Sequence, residues 1–146
     1  MQVFIEPSAL NTMVKHLEST YPSEGCGFLF GYETSKYRKI SLARPVNNSK
    51  QGDQSRRYVI DPRDYLAAEK YAMVHQIGLV GIYHSHPDYP AGPSTYDLEQ
   101  AVPYFSYVIL SILKGVQGDI TSWQLNESGR LIAEDLIINH EKPIKS

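Results

Sequence analysis

The sequence predicts an α/β protein in which a mixed, largely antiparallel β-sheet is flanked by helices. Two segments, which follow Pro7 and Pro62, carry apolar residues at helical spacing. Between and after them, short apolar runs bounded by turn residues indicate strands. One run, YVILSIL at 107–113, is so continuously apolar that it predicts a central strand buried on both faces.

The predicted elements follow one another without a second core, a repeat or a linker. Pro7 to about Ser19 is a helix, and 26–33 and 38–46 are strands of a hairpin. The polar run 47–57 is a loop, 58–61 is a brief strand, and Pro62 begins a helix of about fifteen residues. Leu79–His84 is a strand, Ser94 to about Val102 a short helix, 107–113 a strand, and 119–125 with 131–138 a closing antiparallel hairpin.

Length, charge and cysteine content restrict the class of protein. At 146 residues the chain is predicted to form a single domain over 1–146. The net charge of −2 is spread along the sequence, which argues against a nucleic-acid partner. The single cysteine excludes an internal disulfide framework, and no apolar run reaches transmembrane length. We therefore expect a cytoplasmic protein without a membrane partner.

Two histidines at the end of an apolar strand carry the first functional signal. His84 and His86 are two residues apart, and side chains at i and i+2 of a strand project to the same face. Both rings can therefore reach one ion. Pro87 ends the strand because it has no N–H for the ladder, and Asp97 follows after a turn as a possible third ligand. Three protein ligands leave a fourth tetrahedral position open, which is typical of a catalytic zinc site.

Ser94 and Asp97 also have a purely structural interpretation. Ser-x-x-Asp at the start of a helix resembles a capping box, in which the serine is the N-cap and the helix dipole favours the carboxylate. The two interpretations are compatible, because a carboxylate on the first turn of a helix is well fixed for binding a metal.

Hydrolysis at a metal also needs a group that transfers protons. Asp88 lies near the ligands in sequence, but on the turn after the strand it is expected to point to solvent. Glu24 is the better candidate, since it lies between a helix and a strand, and Gly25 and Gly27 allow close backbone approach. Spacing alone does not bring Glu24 near the metal, and a solvated glutamate remains the alternative.

The other cysteine and histidine residues are more simply explained as structural. Cys26 heads an apolar strand and is predicted to be a buried thiol. As a fourth ligand, its thiolate would displace the catalytic water. His16 and His75 lie on predicted helices and His140 lies in the tail, so we expect each to be structural or exposed.

The site positions resemble the motif of the JAMM/MPN family of zinc metalloproteases, isopeptidases that act on ubiquitin and ubiquitin-like proteins. A glutamate precedes His-Ser-His-Pro, seven residues separate His86 from Ser94, and two separate Ser94 from Asp97. The resemblance implies the JAMM/MPN fold, which is cytidine-deaminase-like, and one Zn²⁺ per chain with a catalytic water. It implies His84, His86 and Asp97 as the zinc ligands. It further implies that Glu24 is the general acid/base and that Ser94 helps to bind the oxyanion.

Within that family, the sequence is most similar to the compact bacterial branch. EGCGF (24–28), RYVIDP (57–62) and HSHPDYPAGPSTYDLEQA (84–101) carry this similarity. It implies a ubiquitin-fold sulfur-carrier protein with a C-terminal Gly-Gly as partner. The enzyme would remove an amino acid or peptide from that terminus, in a pathway such as cysteine biosynthesis. The short link at 114–119 indicates that the long insertions with which eukaryotic relatives grip ubiquitin chains are missing.

The site for the carrier tail and two other functions stay open. The tail is expected to add as a strand to a sheet edge near 26–33 or the 47–57 loop. A small-molecule zinc amidohydrolase would use the same chemistry in a deep, closed pocket. A non-catalytic scaffold that binds ubiquitin-like proteins would normally lack one or more of the metal ligands, whereas this chain has all three.

Overall fold

The computed structural model describes residues 1–138, which form an eight-stranded sheet with helices packed on it. The predicted α/β class, a mixed and largely antiparallel sheet flanked by helices, is confirmed. In chain order the elements are β1 (Gln2–Ile5), α1 (Pro7–Thr20), β2 (Cys26–Glu33), β3 (Tyr37–Val46), α2 (Pro62–Val74), β4 (Gly78–Pro87), α3 (Thr95–Gln100), β5 (Ser106–Leu113), β6 (Val116–Leu125), β7 (Leu131–Ala133) and β8 (Asp135–Ile138).

The strand order places β4 in the middle of the sheet. Across the sheet the strands run β7-β6-β5-β4-β2-β3-β1-β8. Antiparallel pairing joins β2 to β3 and β4, and β6 to β5 and β7, whereas β4–β5, β1–β3 and β1–β8 are parallel. A parallel pair needs a crossover connection. The crossover from β4 to β5 contains α3, which begins close to the C-terminal end of β4.

Helices cover the two faces of the sheet. α1 buries Ala9, Met13 and Leu17, spaced four residues apart, against apolar residues of the central strands. α2 lies on the other face and covers Phe28 and Phe30. β5 is buried over 106–112 and only Leu113 is exposed, so the prediction of a central strand buried on both faces is confirmed.

Three details of the secondary structure differ from the prediction. β1 was not predicted. Residues 58–61 are not a strand, although Tyr58 and Ile60 are buried in alternation. Residues 131–138 do not form one strand of a hairpin: β7 pairs with β6, but β8 crosses to the far edge and pairs with β1. Glu134 lies between the two short strands, and its amide donates a hydrogen bond to the Ser122 carbonyl oxygen.

Two further observations concern membrane-spanning helices and the C-terminal residues. No helix among the described residues has the length and apolar character needed to cross a membrane. His140 and the rest of the predicted tail lie outside the described residues.

Candidate active site

The two histidines and the aspartate converge on one point at the end of β4. His84 Nε2 lies 3.3 Å from His86 Nε2 and 3.2 Å from Asp97 Oδ1, and His86 Nε2 lies 3.1 Å from Asp97 Oδ2. All three side chains are buried. The i, i+2 spacing puts both rings on one face of β4, and the crossover to β5 brings the first turn of α3 to the same place.

These side chains fit a tetrahedral metal ion. At metal–ligand distances of about 2.0 to 2.1 Å, neighbouring ligand atoms lie roughly 3.3 Å apart, which matches the observed separations. His86 Nδ1 lies 2.7 Å from the Pro90 carbonyl oxygen. A carbonyl only accepts, so Nδ1 carries a hydrogen, and Nε2 is the nitrogen that would face a metal ion. A neutral nitrogen, as a metal requires, is also favoured at His84, where burial lowers the pKa.

Ser94 and Asp97 form the capping box that the sequence predicted. Ser94 Oγ accepts from the Asp97 amide at 3.1 Å, and Asp97 Oδ2 accepts from the Ser94 amide at 2.8 Å. Burial acts to raise the pKa of Asp97, but hydrogen bonds with His84 and His86 outweigh it and hold the pKa well below its usual range. The box therefore fixes an ionised carboxylate beside the imidazoles, and the structural role and a ligand role coexist.

The sheet register brings Glu24 to this cluster from sixty residues away. Cys26 pairs with His84, and Gly25 and Ser85 exchange hydrogen bonds of 2.9 and 3.1 Å, so Glu24 lies level with His86. Gly25 permits this position, because a Cβ there would lie 2.6 Å from Thr20 Oγ1 and 2.8 Å from Leu17 Cδ2. The placement that spacing alone left open is therefore made by β2–β4 pairing.

Glu24 is buried rather than solvated. Its side chain is 2% exposed, and its Oε2 accepts a hydrogen bond of 2.6 Å from the Tyr89 hydroxyl. Burial raises the pKa of Glu24 to about 8; the Tyr89 bond and Arg56 act to lower it, and Asp97 acts to raise it. A carboxyl that binds and releases a proton near neutral pH suits a general acid/base. The alternative of an ordinary solvated glutamate is wrong.

Three aromatic residues around the site were not identified from the sequence. The Tyr89 ring stacks on His86 with centroids 4.2 Å apart and planes 15° apart. Tyr58 stacks on His84 at 4.6 Å, and the Tyr96 hydroxyl donates to the Tyr58 carbonyl oxygen. Tyr89 follows His86 by three residues, but nothing in that spacing separates it from the other tyrosines. Only the folded turn reveals its contacts.

The segment 47–57 encloses the backbone of Glu24. The Glu24 amide donates to the Gln54 carbonyl oxygen at 2.7 Å, and Asn48 Nδ2 donates to the Glu24 carbonyl oxygen at 2.9 Å. At the end of this segment, Arg56 lies 4.8 Å from the centre of the Tyr89 ring. The predicted loop is therefore part of the surroundings of the site.

Cys26, His16 and His75 lie at structural positions, as the sequence predicted, and Asp88 points away from the site. Cys26 is buried and its pKa is raised to about 12 by burial first and by Glu24 second, so a thiolate is strongly disfavoured. His16 Nδ1 lies 2.7 Å from the Tyr83 hydroxyl on the opposite face of β4. His75 packs against Tyr71 at the end of α2. Asp88 is exposed and accepts from the Tyr21 hydroxyl and the Lys114 amide, which confirms that it points away.

The fold and the buried His-His-Asp cluster define a class of metal-dependent hydrolase, and comparison with known sequences identifies the family. The family model described as prokaryotic homologues of the JAB domain matches residues 6–126, and the chain belongs to this family. The resemblance to JAMM/MPN proteins is thereby confirmed. The family consists of zinc-dependent metalloisopeptidases, so the chain is an enzyme of the metalloprotease class.

Individual relatives agree with this assignment. The desampylase of Pyrococcus furiosus is 29% identical over 115 residues, which are 79% of this chain and 76% of the relative. The probable TtuB-protein conjugate cleaving protease of Thermus thermophilus is 31% identical over 105 residues, 70% of this chain and 67% of the relative. A protein of Desulfitobacterium hafniense has a solution structure that superposes with a TM-score of 0.83, at 28% identity, over 95% of this chain and 94% of that one.

Proposed function

We propose that this chain hydrolyses the peptide or isopeptide bond after the C-terminal Gly-Gly of a ubiquitin-fold sulfur-carrier protein, releasing an amino acid or a peptide. The observation that carries the proposal is Glu24, a buried carboxyl with a pKa raised to about 8, held level with His86 beside a metal-ligating cluster. Relatives named for cleavage of TtuB conjugates and for desampylation support a ubiquitin-like substrate.

His84, His86 and Asp97 would hold one Zn²⁺ through Nε2, Nε2 and a carboxylate oxygen. When bound, the ion would supply Lewis acidity for the scissile carbonyl and for a water at neutral pH. The protein orients these ligands through the Pro90 carbonyl oxygen and the capping box. Proton transfer and oxyanion binding are carried out by side chains of the protein.

Glu24 takes the proton of the attacking water and passes it to the leaving amine. Its Oε1 is buried without a hydrogen-bond partner among the described residues, whereas Oε2 is held by Tyr89. Ser94 donates its hydroxyl hydrogen to the oxyanion, because its oxygen already accepts the Asp97 amide and its O–H remains available as a donor.

A cavity beside Glu24 is a candidate position for the substrate. Cavities of about 590, 260 and 110 Å³ border the sheet. None of the three is lined by His84, His86 or Asp97, but the cavity of about 260 Å³ is lined by Glu24 and by Asn48 and Gln54 of the segment 47–57. The largest lies between α2 and β2–β3, away from the cluster. The complete ligand set argues against the non-catalytic scaffold.

One of the two edges considered for the carrier tail is wrong. β2 is paired with β3 over 26–33 and with β4 over 26–31, so its backbone has no free edge over 26–31. The segment 47–57 is the remaining candidate. The β5–β6 connection is only Lys114-Gly115, both with positive φ, so this link has no insertion that could grip a second ubiquitin-like domain. A cytoplasmic location completes the proposal, consistent with a free, buried cysteine.

The decisive experiment offers the zinc-loaded enzyme each Gly-Gly-terminated sulfur carrier of its genome, extended by one amino acid, and weighs the products. We expect a mass loss equal to that amino acid for at least one carrier. Glu24→Gln should bind the same amount of zinc and lose activity by about 10²- to 10⁴-fold. If the wild-type enzyme leaves every extended carrier intact, the proposal fails.

A further inference from the structure

A cationic side chain lies next to the proposed proton-transfer group. The Arg56 guanidinium carbon is 4.8 Å from the centre of the Tyr89 ring, the same ring that stacks on His86 and whose hydroxyl holds Glu24. The charge of Arg56 also acts on the Glu24 carboxyl. Because His86 already stacks on this ring, Tyr89 separates Arg56 from His86, and Arg56 lies at the outer edge of the site beside the Tyr89–Glu24 pair.

Arg56 forms no salt bridge within the described part of the chain, although its charge helps to lower the pKa of the Asp53 carboxyl. Over residues 1–138, no carboxylate oxygen lies within 4.0 Å of its guanidinium, and the side chain is exposed. The aromatic ring holds the guanidinium without using its five N–H donors. The planar fork of those donors matches a carboxylate, which it binds through two parallel hydrogen bonds.

Resting on the proposed function, we infer that Arg56 binds the free α-carboxylate of the amino acid that the enzyme releases. In a carrier–amino acid adduct, the leaving nitrogen and the α-carboxylate carbon are both bonded to one Cα and lie about 2.5 Å apart. When Glu24 reaches that nitrogen, the carboxylate lies next to it and, on this proposal, points toward Arg56 at the edge of the site. A lysine isopeptide places four methylenes there instead, and its backbone carbonyl continues as an amide.

This interaction would set the substrate class. An adduct that ends in a single free amino acid presents a negative charge to Arg56, whereas a protein conjugate does not. The enzyme is therefore selective for carriers capped by one amino acid over carriers joined to a lysine of another protein.

Arg57 provides a matched control. Its guanidinium carbon lies 4.8 Å from the centre of the Tyr96 ring, which belongs to the other flank of the site, next to Tyr58 and His84. It is exposed, like Arg56, and is the next residue in the chain. Arg56→Gln and Arg57→Gln remove the same charge from the two flanks.

The test uses two substrates that differ in one group: a carrier extended by one alanine with a free carboxylate, and the same carrier with a terminal carboxamide. We expect wild type and Arg57→Gln to prefer the carboxylate by about tenfold in kcat/KM, and Arg56→Gln to lose that preference. Binding of both substrates to Glu24→Gln and to the Glu24→Gln/Arg56→Gln double variant, measured by calorimetry, should show the same difference without turnover.

The outcomes separate this inference from the function on which it rests. If wild type cleaves both substrates equally well, or if Arg56→Gln keeps the preference for the carboxylate, Arg56 does not bind that group, and the proposed hydrolysis still stands. The two substrates are built on the carrier that wild type cleaves in the mass assay; if no carrier of the genome is cleaved there, the proposed function fails and the role of Arg56 fails with it.

Discussion

The Tyr89 hydroxyl donates a hydrogen bond of 2.6 Å to Glu24, linking two residues that are sixty-five positions apart. The ring of Tyr89 stacks at the same time on His86. The position of Tyr89 is set by the preceding residue, Asp88, whose φ of 62° turns the chain after β4. Asp88 is itself held by the Tyr21 hydroxyl and the Lys114 amide. One tyrosine thus ties the proposed acid/base to a proposed metal ligand.

Tyr89→Phe should lower kcat by about tenfold, because one hydrogen bond that orients Glu24 is worth about 1.4 kcal/mol. The ring and its contact with His86 remain, so zinc content and KM should change little. The Tyr89 bond also lowers the pKa of Glu24, so its loss should shift the acidic limb of the pH–rate profile to higher pH. Tyr32→Phe, on an exposed ring of β2, is the control. An unchanged kcat for Tyr89→Phe would contradict the role of this hydrogen bond.

The raised pKa of Glu24 predicts a pH-dependent stability of the protein stripped of metal. Unfolded, Glu24 ionises near pH 4.5, whereas the folded protein keeps its proton until about pH 8. Between these values unfolding releases a proton, so stability falls as pH rises, by about 1.4 kcal/mol per pH unit from this group.

Urea denaturation of the EDTA-treated protein at pH 5.5 and 7.5 measures this effect. Burial lowers the pKa of both His84 and His16 and gives slopes of the opposite sign, so the quantity to compare is the difference between wild type and Glu24→Gln. Wild type should lose stability relative to Glu24→Gln as the pH rises. Equal pH dependence of the two proteins would contradict a raised pKa.

Removing any one of the three proposed ligands should release the metal. His84→Ala, His86→Ala and Asp97→Asn each leave two strong ligands, and elemental analysis after dialysis should find less than about a tenth of the zinc of wild type. His75→Ala, at the end of α2, should keep one zinc per chain. Full zinc content in two or more of the ligand variants would place the metal elsewhere.

Substitutions at Ser94 should separate its capping role from its catalytic role. Ser94→Ala removes the N-cap of α3 and is expected to cost about 1 kcal/mol of stability, whereas Ser94→Gly costs a few tenths. Both remove the hydroxyl donor, so both should lower kcat by about 10²-fold. If Ser94→Ala and Ser94→Gly lose the same stability but differ in kcat, the separation of the two roles is contradicted.

The predicted fold is wrong in two kinds of place. In one, strands pair with segments far away in the sequence; in the other, hydrogen bonds from side chains take the place of strand–strand hydrogen bonds. β1 is only four residues long, and its partners β3 and β8 come from far along the chain. Tyr58 and Ile60 alternate as in a strand, yet Val59 bonds to the Asn48 side chain and the Ser49 amide. Long elements with strong periodicity, such as α1 and β5, were predictable because their signal is local.

The sequence alone predicted His84, His86 and Asp97 as candidate metal ligands. His84 and His86 share a face because strands alternate, and the capping box of Ser94 and Asp97 is equally local. The approach of Asp97 to the histidines depends on the crossover from β4 to β5. Only the tertiary structure placed Glu24, Tyr89 and Arg56 together. Their meeting depends on the register of β2 against β4 and on the path of 47–57, and contacts between distant segments leave no periodic trace in the sequence.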